Sequence, residues 1–343
     1  MKSILKRPDR FTRIVVLVWV IAGVVVLTTG FRALTAMGLL SFGGSASPGL
    51  CRAITLPAPG DLAYEAKNKT LFIASNPANG KGAIYALANG QSKPVKLAGT
   101  PSDFHPGAIS IGYDAGGEPN LAVIDHKASG AVATGLYGVD YDGGSARLSY
   151  QSTTQGGLAR RGQGIVAMGN GRFYLSANPV SSDLMAWADR WFLLGRAHLL
   201  FFNGTMFMDA VAGISDPSGV AASADGQYLY VLSRNERRVI AFRREIFTGT
   251  LTELDSLSLP MRPERISVDA NNVLWVAGVD RIPALGGGSR VVRAFLGADG
   301  VPQSQETVYA GDAVEGATAA VKAENRLFIG SATGDTLLDC EVK

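Results

Sequence analysis

One short pattern recurs six times along this chain: a polar turn followed by an apolar, strand-like run. It reads AKNKTLFIAS from Ala66, GGEPNLAVID from Gly116, GNGRFYLSAN from Gly169, ADGQYLYVLS from Ala224, ANNVLWVAGV from Ala270 and AENRLFIGSA from Ala323, at a spacing of about 50 residues. Before each turn stands a second alternating segment: DLAYEA, AISIGY, GIVAMG, GVAASA, RISVDA and TAAVKA. Each unit therefore opens with a hairpin whose tight turn uses Asn, Asp or Gly, the residues that tolerate positive φ. Further strand-like stretches, among them AIYAL, GLYGVDY, RVIAFRR and RVVRAFLG, follow the hairpins. Four strands per unit is the size of a propeller blade, so the pattern predicts an all-β, six-bladed β-propeller with its innermost strands around a central channel. The 343 residues would permit two average domains, but propellers use this much chain as one. With 42 glycines and only 18% charged residues, the composition fits short strands and tight turns better than a helical enzyme.

Ahead of the repeats, Lys2, Lys6, Arg7, Arg10 and Arg13 precede the apolar stretch Ile14 to Phe31, which has about the length needed to cross a hydrocarbon core. A retained transmembrane anchor and a cleaved signal peptide, with a cleavage site near Ala33 to Ala36 or Ser41 to Ser47, are both open at this point. The basic flank places the N-terminus in the cytoplasm and the rest of the chain outside, single-pass if the helix is retained. The expected organisation is a cytoplasmic basic segment at 1–13, the span at 14–31, a linker at 32–50 and the propeller at 51–343. The net charge of +3 is partly this local cluster, and no basic stripe recurs in the body of the chain, so no nucleic-acid partner is expected. Export permits a disulfide, and the only two cysteines, Cys51 and Cys340, stand at the two ends of the soluble region. A bond between them would close nearly the whole domain into one loop.

One segment breaks the β pattern. Leu184 to Phe202 is rich in helix formers, and Trp187, Trp191 and Leu194 recur at three- and four-residue intervals, which predicts an inserted amphipathic helix. Such a helix would pack on the ring, roof a ligand site or rest on a membrane interface. His198 falls inside it and reads as a packing residue. Gly286 to Gly288 reads as a turn, since no helix pattern follows to make a phosphate cradle. Asn68 and Asn203 begin N-x-T sequons. There is no G-x-S-x-G elbow, no Walker loop and no zinc-spaced cluster.

Several stretches in sequence order resemble the serum paraoxonase and arylesterase family: FHPGAIS around His105, NLAVIDH ending at His126, GIVAMGNGRFY, the tryptophan segment, SGVAASADGQYLYVLS, ERISVDANNVLWVAG and the closing run from Val308 to Val342. The resemblance covers about Cys51 to Val342. It implies a six-bladed propeller related to SMP-30/gluconolactonase and strictosidine synthase-like propellers, a disulfide between Cys51 and Cys340, and hydrolysis of lactones and aryl esters. It also implies a channel calcium that polarises the substrate carbonyl beside a histidine pair.

The calcium positions are mostly replaced. The family's first-blade glutamate and aspartate fall on Gly60 and Asp61, its third-blade asparagine and aspartate on Gln163 and Gly164, its fourth-blade asparagine on Ser218, and its fifth-blade aspartate and asparagine on Glu264 and Arg265. A divalent ion about 4 Å from a guanidinium would face roughly 8 kcal/mol of repulsion at an effective dielectric near 20. No cofactor is therefore expected, and Arg265, paired with Glu264 or Asp61, is expected to stand in for the metal. His126 matches one member of the histidine pair. The other position reads Gly107, and His105, two residues earlier, would share its face on a regular strand.

Two classes of function follow. In the first, a small ester or lactone binds at the channel. Arg265 and Gln163 polarise its carbonyl, His126 or Glu264 serves as general base, Ser218 and Asp61 line the site, and Trp187 and Trp191 supply an apolar wall. In the second, the propeller is a non-catalytic binding or scaffold protein. A metal-free enzyme of strictosidine synthase type, resting on Glu264 as acid or base, is a further alternative.

Overall fold

A computed structural model of the chain describes residues 10–37, 45–127, 131–143, 145–157, 162–177, 197–280 and 288–342. Helix α1, Arg10–Met37, is 28 residues and so about 42 Å long, more than a hydrocarbon core of about 30 Å requires. Its Ile14–Phe31 stretch has a mean hydropathy of 2.6 and is buried nowhere against the protein. The Thr28 hydroxyl donates back to Val24 O at 2.8 Å, so that this polar group does not interrupt the apolar surface.

The alternating segments form six four-stranded antiparallel sheets. Blade one holds β2 (Pro59–Glu65), β3 (Thr70–Ser75), β4 (Ala83–Ala88) and β5 (Val95–Lys96). Blade two holds β6 (Pro106–Tyr113), β7 (Pro119–His126), β8 (Val132–Asp142) and β9 (Ser145–Thr154). Blade three holds β10 (Gly162–Ala167), β11 (Phe173–Ala177), β12 (Ala197–Phe202) and β13 (Phe207–Ile214). Blade four holds β14 (Pro217–Ala222), β15 (Tyr228–Ser233), β16 (Arg238–Arg244) and β17 (Leu251–Ser258). Blade five holds β18 (Arg262–Val268), β19 (Leu274–Val279), β20 (Ser289–Leu296) and β21 (Pro302–Gly311). Blade six is split between the two ends of the ring: β22 (Ala317–Ala323), β23 (Arg326–Ser331) and β24 (Thr336–Glu341) pair with β1 (Cys51–Thr55).

Each inner strand touches the inner strands on either side, which closes the ring around a channel. Six apolar clusters fill the six junctions between neighbouring sheets, such as Phe72 and Ile84 of blade one against Leu121 and Tyr137 of blade two. The six inner hairpins all turn through positive φ, at Lys69, Gly117, Asn170, Gly226, Asn272 and Glu324. Lys69 and Glu324 are not residues that favour this conformation. They sit on adjacent turns, and Lys69 Nζ lies 2.6 Å from Glu324 Oε1.

Ring closure joins β1 to β24 with Cys51 directly opposite Cys340, and the two form a disulfide. Asp339, buried beside it, accepts from Arg52 across the pair at 3.1 Å and also ion-pairs with Arg326. Upstream, Ala46 exchanges both backbone hydrogen bonds with Ala310 of β21 at 3.1 and 2.9 Å, so ring contacts begin inside the stretch expected to be linker.

The helix expected over Leu184 to Phe202 is corrected at its C-terminal end: Ala197–Phe202 is strand β12, and His198 lies on it, 3.2 Å from Asp209 Oδ1. The run AHLLFF is apolar enough to be buried between β11 and β13, and that pairing overrides its helix-forming composition. Trp187 and Trp191 lie outside the described residues.

The disulfide spans 289 residues of sequence, for which chain-entropy reasoning gives about 5 to 6 kcal/mol of stabilisation. Thermal unfolding with and without reductant, and of the Cys51→Ser/Cys340→Ser variant, is expected to show a large drop in Tm in both cases; an unchanged Tm would mean that β1 holds by its hydrogen bonds alone.

Candidate functional site

The six inner strands share one irregularity. Each has a register shift against its partner at its first residues, between Pro59 and Asp61, Pro106 and Ala108, Gly162 and Gly164, Pro217 and Val220, Pro263 and Arg265, and Ala317 and Ala319. Such a bulge bends the strand and re-aims its side chains. Proline starts three of the six strands and is the second residue of β18, positions where a missing N–H is tolerated. The bulges form a ring at the mouth where the inner strands begin. The next residues inward, Asp61, Ala108, Gly164, Gly219, Arg265 and Ala319, form a throat.

Only two of these six throat residues carry charge. Arg265 Nε lies 3.6 Å from Asp61 Oδ2, reaching from blade five to blade one past Ala319 of blade six. Asp61 Oδ2 also accepts the Ile109 amide and Oδ1 its neighbour's amide at Leu62, both at 2.9 Å. Arg265 Nη1 donates to Glu264 O at 3.1 Å, and its Nε has no hydrogen-bond partner. Burial pushes the Asp61 carboxyl above its ordinary value, against the pull of Arg265 and the two amides. The throat is thus plugged by a pair that supplies its own opposite charge. Of the two partners expected for Arg265, Asp61 is the one that its side chain meets.

Glu264 is engaged elsewhere, with Arg234 Nη2 at 2.9 Å; Arg234 also meets Asp216 at 3.3 Å. Ser218 is fully buried, its hydroxyl donating to Pro263 O at 3.1 Å. Gln163 sits on the bulge of β10, partly exposed, with no hydrogen bond to its amide among the described residues. Gly60 has no side chain to offer, and its carbonyl accepts from Thr318 at 2.8 Å. A Cβ at Gly164 would stand 2.2 Å from Ser218 O, so that position has no room for any side chain.

The histidines are arranged differently from the expectation. The His126 ring lies across Gly107: a Cβ there would come within 2.4 and 2.5 Å of Cδ2 and Nε2. A side chain at 107 and this placement of His126 exclude each other. Burial, and then the charge of Arg265, lowers the His126 pKa, so it stands neutral at pH 7. His105 is partly buried and engaged elsewhere, Nδ1 3.1 Å from Asn76 Oδ1 and Nε2 3.6 Å from Asp103. The bulge between Pro106 and Ala108 breaks the two-residue alternation on which the shared face of His105 and Gly107 depended. The two histidines meet only through the backbone, His126 N donating to His105 O at 2.9 Å.

This donor set does not fit calcium, which takes six to eight oxygens. Gly60 and Gly164 contribute no side chain, the Ser218 proton and the Glu264 carboxylate are committed, and a guanidinium stands in the throat. Sequence reasoning did not single out Arg234 as the partner of Glu264, nor the bulge ring. The recurring Pro at 59, 106, 217 and 263 was the available signal for the latter.

Fold and site together define a six-bladed propeller with a charge-plugged central channel. The sequence profile of the arylesterase family matches residues 88–342, and the chain belongs to that family. No curated protein matches it. Among solved structures it is similar to a gluconolactonase from Xanthomonas campestris, at 18% identity and a TM-score of 0.54, over 89% of this chain and 99% of that one. It is also similar to a luciferin-regenerating enzyme (14% identity, TM-score 0.54, over 86% and 99%) and to a regucalcin from Agrobacterium tumefaciens (12%, 0.52, over 88% and 96%). At such identities these structures establish the shared fold.

Two measurements check the electrostatics. Arg265→Met leaves Asp61 buried without its cation, which costs about 3 kcal/mol or more near neutral pH. Because the folded pKa of Asp61 is then raised further above its unfolded value, stability returns as pH falls and is lost as pH rises through the folded pKa. Adding Asp61→Asn should restore most of the loss at neutral pH. With only three histidines in the chain, NMR can follow each imidazole. His126 should titrate below the ordinary value of about 6.5, and Arg265→Gln should move it upward.

Proposed function

We propose that this protein is a hydrolase of small esters or lactones that works at the channel mouth with its own side chains. The carrying observation is a guanidinium, Arg265, held by Asp61, together with His126, whose pKa is lowered by partial burial and then by the charge of Arg265, which favours its neutral form. A carbonyl oxygen set against Nη2 of Arg265, the nitrogen that neither Glu264 O nor Asp61 engages, is polarised. His126 takes a proton from water as the water oxygen attacks the carbonyl carbon, and Arg265 holds the resulting oxyanion. Collapse breaks the acyl carbon–oxygen bond, and the imidazolium returns the proton to the departing alkoxide. In a lactone, acid and alcohol remain on one molecule. Gln163, unengaged on its bulge, is a second donor for the carbonyl. Glu264 is held by Arg234 and serves as scaffold rather than base in this reading.

The N-terminal helix fits a retained anchor that keeps the ring outside the cytoplasm, where the Cys51–Cys340 disulfide is chemically at home. A binding propeller without turnover is the second reading, favoured by how many polar groups at the throat are already paired.

Phenyl acetate and a δ-lactone are the test substrates. Arg265→Gln is expected to reduce kcat/KM by about 10²–10³ and His126→Ala by about 10²–10⁴. Activity should fall on the acid side only below about pH 6.5, where a lowered histidine gains its proton. No turnover across a broad ester and lactone panel would leave the binding reading in its place.

A further inference from the structure

The Asp61–Arg265 pair has a second side. Beyond it, toward the inner hairpins, the channel widens into a chamber of about 590 Å³ whose lining runs from Asp61, Gly164 and Arg265 to Ala66, Ala224 and Glu324 at the turns. His105, His126, Gln163, Ser218 and Glu264 take no part in it. It is therefore distinct from the mouth that carries the proposed reaction, and the two share only the throat. Its size falls within the roughly 300–1,000 Å³ of small-molecule sites.

The chemistry of the lining selects an occupant. The wall is mostly apolar, from Leu62, Ile111, Val166 and Val268. Every carboxylate lining the chamber is already engaged. Asp61 holds Arg265 and two amides. Asp269 accepts from Trp275 Nε1 at 3.0 Å and lies 3.5 Å from Lys322 Nζ, and Glu324 holds Lys69. What remains uncommitted is donor capacity deeper in. Arg265 lines the chamber, and with Nε enclosed against Asp61 and Nη1 given to Glu264 O, its Nη2 is the nitrogen left without a hydrogen bond among the described residues; the Ser110 hydroxyl accepts from the Ala167 amide at 3.0 Å while keeping its own proton. Three carboxylates against Arg265 and Lys322 also disfavour an anion among these lining groups.

We infer that the hairpin-end chamber is a second ligand site, for an uncharged molecule with an apolar body and one oxygen acceptor, a ketone or ester carbonyl, hydrogen-bonded to Arg265 from the side opposite His126. The inference rests on the proposed reaction only in its consequence: an occupant that draws on the Arg265 donors competes with the oxyanion for them, so the chamber is inhibitory. Binding itself does not depend on turnover. The turns that surround the chamber's opening lie at the far end of the inner strands from the mouth, and Ala46, where the chain from α1 is pinned, joins β21 at its mouth-side end. The ligand thus has its own way in.

The probe is 2-nonanone, a carbonyl compound that hydrolysis cannot consume. The full chain is placed in lipid nanodiscs, with empty nanodiscs as blank, and binding is read by calorimetry and saturation-transfer NMR. One saturable site is expected. Ala222→Phe and Ala167→Phe, each adding a ring from a different wall strand, should weaken it at least tenfold, and Arg265→Met by about tenfold. His126→Ala should leave it unchanged while removing turnover. Where turnover is measurable, 2-nonanone should inhibit the wild type and spare the two phenylalanine variants. The absence of saturable binding, or binding that ignores both phenylalanine variants while remaining folded by circular dichroism, would overturn the inference. So would loss of binding in His126→Ala, which would put the ketone in the mouth. A protein that hydrolyses nothing but binds the ketone as described would sink the proposed reaction and leave the chamber standing.

Discussion

Everything at the throat depends on the antiparallel pairing of β1 with β24. Five blades are local in sequence and can assemble from consecutive strands, but the sixth exists only when the two ends of the ring meet. Asp61 lies a few residues after β1 and Arg265 two inner strands before β24, so their 3.6 Å approach across blade six requires the closed ring. The disulfide, the Asp339 ion pairs and the β1 hydrogen bonds thus hold more than an edge strand. They hold the geometry that brings the only two charged throat residues together. Closure also makes the channel a channel, since an open ring would leave inner strands with exposed apolar faces.

At the throat the channel is filled by the chain's own charges. A cation site needs converging oxygens; a guanidinium in the same place needs one good anion, some backbone acceptors and small neighbours. Ala108, Gly164, Gly219 and Ala319 are those neighbours, and at Gly164 the crowding is such that no Cβ fits. Gly107 makes a corresponding concession for His126, whose ring fills the space above it. The polar groups at the throat are largely satisfied by the chain itself. In the proposed reaction the work falls to a preorganised donor, Nη2 of Arg265.

Much of the fold was legible in the sequence because its information is local and repeated. Six polar turns, each followed by an apolar run, announce six hairpins whatever the tertiary context, and the two cysteines announce where the ring closes. The tryptophan segment misled at Ala197–Phe202 because a run that is apolar but for His198 carries no clear periodicity, and only its pairing with β11 and β13 decides its state. The site was partly legible. That Arg265 would pair with a neighbouring carboxylate could be seen, since that follows from charge alone. That Asp61 rather than Glu264 would be its partner could not, because Glu264 is claimed by Arg234, 30 positions earlier in sequence on the corner after β15. The position of His105 failed for a related reason: strict alternation holds only on a regular strand, and every inner strand here begins with a bulge.

The account's central claim is that the throat carries its own cation and has no place for calcium. Thermal unfolding of the purified full chain in millimolar calcium and in excess chelator, together with elemental analysis of the same sample, tests it most directly. The expected result is one Tm under both conditions and no stoichiometric metal. About one calcium per chain, with a Tm that rises when the ion is added and falls when it is removed, would contradict it.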